Sequence, residues 1–215
     1  MPISALGTHW PAVKRLIECK PKTVLELGVG TGRYGVAIRD FVDYLCWGAD
    51  PTRPETWHVF LEGVEIHKPY FKSPLYDHYY DRTHNEDARD FLKAVVQARR
   101  SWDVVLCMDM IEHVPETDAI QAINRMLTCA DQYVVIATPY GKHLQETVLG
   151  NEHERHQFTL HEDFFDRWGD RLEQLWKVDN CLLAVLKGKN PQGKPAPESK
   201  VFEVESMLGV SAKQA

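Results

Sequence analysis

The sequence is short of several things, and each shortage narrows what it can be. Its five cysteines are an odd number, and no two stand at C-x-x-C spacing. That argues against a disulfide framework or a zinc site built on cysteines. Cys107, inside an apolar run, reads as a small core residue. No apolar stretch reaches the ~18 residues of a membrane span. Positive charge is in deficit: 25 Lys and Arg stand against 31 Asp and Glu, for a formal net charge of −6. No overall basic field therefore draws the chain to nucleic acid or anionic membrane. The opening "MPISALGTHWPAVKRL" lacks the charged start, apolar middle and small-residue cleavage site of a signal peptide. There is no internal repeat. These absences lead us to expect a cytoplasmic protein.

What is present is an ordinary globular composition. The chain has 215 residues, 44% hydrophobic and 26% charged, enough for one large core. Short β-like runs alternate with helical periods. "TVLEL" (23–27), "HVFLEGVEI" (58–66), "WDVVLCM" (102–108) and "YVVIAT" (133–138) predict strands. "GRYGVAIRDFVDYL" has Val36, Ile38, Phe41, Val42 and Leu45 at helical spacing; "ARDFLKAVVQAR" and "ETDAIQAINRML" predict two further helices. "HEDFFDRWG" predicts a short helix, and "LEQLWKV" and "CLLAVLKG" a closing strand pair around "DN". Such alternation implies an α/β fold with a mostly parallel sheet. Ligands of that class bind beyond the carboxyl ends of the strands. We expect one domain over residues 1–188, then a Pro-, Gly- and Lys-rich linker and tail over 189–215.

Three alternating glycines, Gly28, Gly30 and Gly32, follow the first strand in "VLELGVGTGRYG". They suit a backbone that must approach a ligand closely at a helix N-terminus. "GTGRYG" (30–35) is also a literal G-x-G-x-x-G, which suggests a dinucleotide. However, it starts late relative to the strand. The next strand-ending acid, Glu65, lies well beyond the ~20 residues expected for a dinucleotide ribose contact.

Taken as E-x-G-x-G-x-G over 26–32, the loop resembles the first motif of class I S-adenosylmethionine-dependent methyltransferases. "GVEI", "NEDA" and "DVVLCMDMIEHV" match that family's later motifs in order. The resemblance covers roughly residues 10–188 and implies a Rossmann-like, doubly wound, seven-stranded sheet with an antiparallel last strand. It implies S-adenosyl-L-methionine as cofactor. Glu26, Gly28, Gly30 and Gly32 would meet its methionine part, Glu65 with Ile66 its ribose, Asp87 with Ala88 its adenine, and Asp109 would stand beside the reacting methyl. Glu65 is an acceptor-only carboxylate, suited to two hydroxyls. Asp87 is equally suited to capping a helix.

"MDMIEHVP" (108–115) puts Asp109, Glu112 and His113 at the end of the fourth strand, and a histidine-rich stretch (His143, His153, His156, His161) follows the fifth. Asp109-x-x-Glu112-His113, "TPY" and "HQFTLHEDF" are similar to patterns in the small-RNA terminal 2′-O-methyltransferases and, more distantly, the ubiquinone-pathway O-methyltransferases. The chain departs from them in carrying Asp for Glu at 109, Tyr140 for Asn and Leu160 for Trp. This likeness implies Asp109, Glu112, His113 and His156 as ligands of Mg or another divalent metal. Without a metal, Asp109, His113 and His156 are the candidate catalytic residues, with His113 or His156 as general base.

The aromatic loop 67–84, with Tyr70, Phe71, Tyr76, Tyr79 and Tyr80, either stacks on a flat substrate or packs the sheet edge. The expected activity is methyl transfer to a small molecule, oxygen rather than nitrogen. An RNA 2′-hydroxyl, a nicotinamide-dependent oxidoreductase and a catalytically silent cofactor-binding module are the alternatives. Nucleic acid and membrane are not expected partners, and oligomeric state is left open.

Overall fold

The computed structural model describes residues 6–142, 145–148, 150–191 and 201–203. His143 and most of the expected linker and tail (192–200 and 204–215) lie outside the described residues.

The chain opens with helix α1 (Leu6–Cys19) and strand β1 (Thr23–Leu27), then α2 (Arg33–Ala37), a π-helical turn Ile38–Asp43 and α3 (Tyr44–Trp47). β2 (Phe60–Val64), α4 (Pro74–Tyr79), β3 (Arg82–His84), α5 (Ala88–Gln97), β4 (Trp102–Met108), α6 (Glu116–Cys129) and β5 (Ala130–Pro139) follow. A 3-10 segment Glu162–Arg171 leads into the hairpin β6 (Leu172–Val178) and β7 (Cys181–Lys187), and β8 (Val201–Glu203) pairs with β6. The sheet order is β3-β2-β1-β4-β5-β7-β6-β8. β1 to β5 are mutually parallel, and β7 runs antiparallel between β5 and β6. This is the doubly wound, Rossmann-like sheet that the motif order implies, with β8 as a short addition at the edge.

The continuous apolar runs are explained by burial on both faces. In β4, Val105 and Cys107 pack with α5 and α6, while Val104, Leu106 and Met108 pack against the α1 and α2 side. Strand order reverses between β1 and β4, which opens a crevice at their carboxyl ends. No helix among the described residues is long and apolar enough to cross a membrane.

Two local expectations change. The helix read over 32–45 is not uniform: its middle is a π turn, and Phe41 and Leu45 point outward, 41% and 55% exposed. The wide turn brings Arg39 and Asp43 inward together, both fully buried, and shifts the apolar phase. The loop 67–84 is not open either, since it holds α4 and β3. Tyr76 and Tyr80 are core residues, so for those two rings packing prevails over an exposed aromatic face.

Arg39 is the polar anchor of this half. Its guanidinium donates to Asp43 at 2.9 Å, the Val59 carbonyl at 2.6 Å, the Tyr79 carbonyl at 2.7 and 3.1 Å and Asp81 at 2.9 Å. It also lies over the Trp57 ring, 4.3 Å from its centroid. Removing it takes the countercharge from the buried Asp43 carboxylate, which keeps only the His58 and Val59 N–H donors. Arg39→Ala should therefore destabilise the fold by about 3–5 kcal/mol. The check is a urea midpoint that drops with unchanged slope; a loss under about 1 kcal/mol would show that water reaches Asp43.

Candidate active site

The site is built where β1 and β4 end. β1 stops at Leu27, and Gly28 (φ 76°), Gly30 (φ 60°) and Gly32 (φ 90°) carry the chain over the sheet edge in left-handed conformations. At Gly28 an added Cβ would also meet Met110 at 3.0 Å, so the turn allows no side chain there. Backbone N–H groups of Gly28 and Val29 donate to the Val64 carbonyl, tying the loop to the end of β2.

The aromatic loop braces the turn from behind. Tyr76 Oη donates to the Gly30 carbonyl at 2.7 Å, and Tyr80 Oη donates to Glu26 Oε2 at 2.6 Å while accepting from Gly35 N at 3.2 Å. Glu65, just past β2, accepts from Gly30 N at 2.9 Å and His67 N at 2.7 Å. Asp87 caps α5 by accepting from Arg89 N at 2.8 Å, and the Arg89 guanidinium bridges it to Asp118.

These residues surround a cleft of about 1090 Å³, counting its open mouth. Glu26, Gly28, Gly30, Glu65, Ile66, Asp87, Ala88, Asp109 and His113 line it. Gly32 does not; it is the left-handed N-cap of α2, packed near Leu75. The cleft also takes Arg33, Tyr34, Tyr70, Asn151, Glu154 and Gln157, which motif reading did not single out as site residues. Tyr70 carried a signal in the aromatic loop. The strap residues 151–157 carried only a histidine count, because nothing local says which side chains turn inward.

The strand-four cluster is divided by the fold. Asp109 sits in a left-handed turn (φ 52°), its N–H donating to the Ala137 carbonyl at 2.8 Å, and it faces the cleft. Glu112 turns into the protein, 1% exposed. Its Oε2 accepts from Thr138 Oγ1 at 3.1 Å, and its Oε1 has no hydrogen-bond partner among the described residues. His113 Nε2 lies 3.8 Å from that oxygen, and the His113 and His156 rings meet edge to face, 4.9 Å apart. One donor atom each from Glu112, His113 and His156 lies within 4.8 Å of the others. Asp109 is not part of this group, so the structure brings together three of the four expected ligands. His156 arrives on the strap, held by His156 N to the Gln145 carbonyl at 3.0 Å, Gln157 N to the Glu112 carbonyl at 2.8 Å and Gln157 Nε2 to the His113 carbonyl at 2.6 Å. His153 lines the cleft, and His161 packs on Tyr140 instead.

The electrostatics of the cleft are those of a site short of positive charge. Burial pushes the Glu112 carboxyl well above its usual range, and the Asp109 charge adds to this. Burial also raises Glu65, partly offset by its N–H donors. Burial lowers His113, helped by the neighbouring His156. Asp87 goes the other way because Arg89 binds it.

Burial takes Glu26 from 4.5 up to about 8, with Glu65 adding to the rise and the Tyr80 hydrogen bond opposing it. The folded protein thus holds this proton more tightly than the unfolded chain does. The resulting stabilisation is complete below about pH 4.5, declines as pH rises, and is gone above about pH 8. Glu26→Gln should flatten the decline of unfolding free energy in that window by up to ~1.4 kcal/mol per pH unit, one proton's worth. Urea unfolding at a series of pH values measures it; an unchanged slope would mean that Glu26 ionises as an ordinary carboxylate.

Comparisons with known proteins agree with this geometry. A family model described as a methyltransferase domain matches residues 11–177. Among solved structures, magnesium protoporphyrin IX methyltransferase from Synechocystis PCC 6803 with bound SAM is 14% identical, with a TM-score of 0.51 over 84% of this chain and 80% of that one. The DhpI–SAH complex is 14% identical, with a TM-score of 0.59 over 86% and 85%. The methyltransferase domain of bacterial CtHen1-C is 15% identical, with a TM-score of 0.55 over 83% and 95%. At these identities the structures speak for the fold, and the family match speaks for the chemistry. With its glycine turn and acidic strand ends at the switch point of the sheet, the chain belongs to the methyltransferase domain family and is a class I S-adenosylmethionine-dependent methyltransferase.

Proposed function

We propose that the enzyme methylates a hydroxyl oxygen of a small molecule, bound where the cofactor cleft meets the Glu112–His113–His156 corner. The observation that carries this is the corner itself: a buried carboxylate oxygen with no hydrogen-bond partner among the described residues, facing two imidazoles, next to the pocket that Asp109 and His113 line. A single domain over 1–188 would carry the whole reaction, with 189–215 as linker and tail.

On the cofactor side, the turn at Gly28 and Gly30 with Glu26 would hold the methionine part. Glu65 and Ile66 would take the ribose, and Asp87 and Ala88 the adenine edge. Asp109 would stand between the cofactor and the acceptor. The ammonium and sulfonium of the cofactor suit a cleft whose carboxylates outnumber its cations.

On the acceptor side, Glu112, His113 and His156 fit a divalent cation. An imidazole with a lowered pKa is neutral and offers a lone pair, and a buried carboxylate gains most from a positive neighbour. Such an ion, when bound, would supply Lewis acidity that lowers the pKa of the acceptor hydroxyl. The chain's own residues orient the acceptor in line with the methyl group. Without the ion, His113, whose pKa burial lowers, can instead take the hydroxyl proton. The acids Glu152 and Glu154 on the strap add negative charge to the cleft, which favours a neutral or cationic acceptor over a polyanion such as RNA.

Calorimetric titration with S-adenosylhomocysteine tests the cofactor side. Glu65→Ala should weaken binding by about 1–3 kcal/mol, the loss of a buried charged acceptor; an unaltered affinity would remove Glu65 from the ribose site. Titration with Mn²⁺ alone, followed by electron paramagnetic resonance, tests the corner. Binding that His156→Ala abolishes and EDTA reverses is the expected result. An Mn²⁺ signal that ignores His156→Ala, or no binding at all, would leave His113 as a plain general base.

A further inference from the structure

We propose that Tyr70 is a positioning residue. Through Glu154 it holds residues 151–157 across the cofactor cleft and thereby sets His156 against Glu112 and His113. This rests on the acceptor corner proposed above and names what assembles it.

Tyr70 stands on the connection after β2, remote in sequence from the strap. Its hydroxyl donates to Glu154 Oε1 at 2.8 Å, the shortest of the bonds around that carboxylate. Asn151 Nδ2 reaches both Tyr70 Oη and Glu154 Oε1 at 3.4 Å, and Gln145 Nε2 donates to the Glu154 carbonyl at 2.8 Å. The same Gln145 accepts, at its own carbonyl, from His156 N. One hydroxyl therefore closes a ring of bonds that ends at the backbone of His156.

Glu154 is buried, 7% exposed, in a cleft that Glu65 and Asp109 also line. A buried carboxylate among other carboxylates stays only while donors hold it. The strap is mostly irregular chain, with a single 3-10 turn at Glu152–Glu154 and an isolated bridge. It can therefore open without unfolding the sheet. At its other end Tyr70 touches the cofactor side: its ring meets His67 at 4.6 Å, and His67 N donates to Glu65. A ligand seated at Glu65 and a strap latched by Tyr70 line the same cleft, so each should favour the other by the same free energy.

The test is amide hydrogen exchange of the full chain, with and without S-adenosylhomocysteine, for the wild type, Tyr70→Phe and Glu154→Gln. In Tyr70→Phe, peptides covering 151–157 should exchange about tenfold faster, the loss of one bond to a charged group. Their protection by S-adenosylhomocysteine should shrink, and its affinity should fall several-fold. Peptides of β1 and β4, and the urea midpoint, should hardly change. Glu154→Gln keeps an oxygen for the Tyr70 hydroxyl and should leave the strap as protected as in the wild type. Strap exchange in Tyr70→Phe equal to the wild type, uniform acceleration across all peptides, or Glu154→Gln behaving like Tyr70→Phe would each overturn the latch. If the wild type binds S-adenosylhomocysteine but the strap ignores Tyr70, only the latch falls. If the wild type binds none, the cofactor site falls with it.

Discussion

The hydrogen bond from Tyr80 to Glu26 sits where three parts of the molecule meet. Glu26 belongs to β1, Tyr80 follows α4, and the same hydroxyl accepts from Gly35 in α2. The ring reaches this place only because two neighbours lack side chains. A Cβ at Gly35 would stand 2.6 Å from the Tyr80 ring, and one at Gly63 would stand 2.9 Å from it. Packing at native density leaves no slack for either. Gly35, which completes a literal G-x-G-x-x-G, is thus explained by an aromatic ring and not by a dinucleotide phosphate. The glycine turn is shaped from below by tyrosines and from the side by the end of β2.

Charge follows from the same burial. A sheet covered on both faces pushes its polar groups to the strand ends, and here those groups are mostly acids. Glu26, Glu65 and Glu112 are all raised by desolvation, and only Asp87, with its own arginine, is lowered. A cationic cofactor would offset this deficit in the cleft, and Glu112, His113 and His156 gather three donor atoms beside it. Both halves of the site obey one rule: a buried carboxylate stays charged only next to a cation or several donors.

Motif order in the sequence was enough to bring the candidate cofactor residues together. Glu26, Gly28, Gly30, Glu65, Ile66, Asp87, Ala88 and Asp109 each lie at or next to a strand end or helix start, so local spacing brings them to one crevice. The Glu112–His113–His156 corner was legible only in part. Glu112 and His113 come with β4, but their company depends on a strap from beyond β5. Asp109 and Glu112 stand three positions apart in one motif, and the resemblance implied both as metal ligands. The left-handed turn at Asp109 sends one carboxylate to the cleft and leaves the other buried.

The sequence by itself determined the fold class, the strand that carries the glycine turn and the candidate residues at the strand ends, because these are properties of short windows with a fixed period or spacing. It also held the histidines of the 143–161 stretch. Tertiary structure alone decided which of them meet. His156 meets His113 and His161 does not, because Tyr70, Asn151 and Gln145 fold the strap one way across the cleft. It likewise decided that Tyr76 and Tyr80 are supports and not a substrate surface. Contacts between residues dozens of positions apart depend on how the layers pack, and no local pattern encodes that distance.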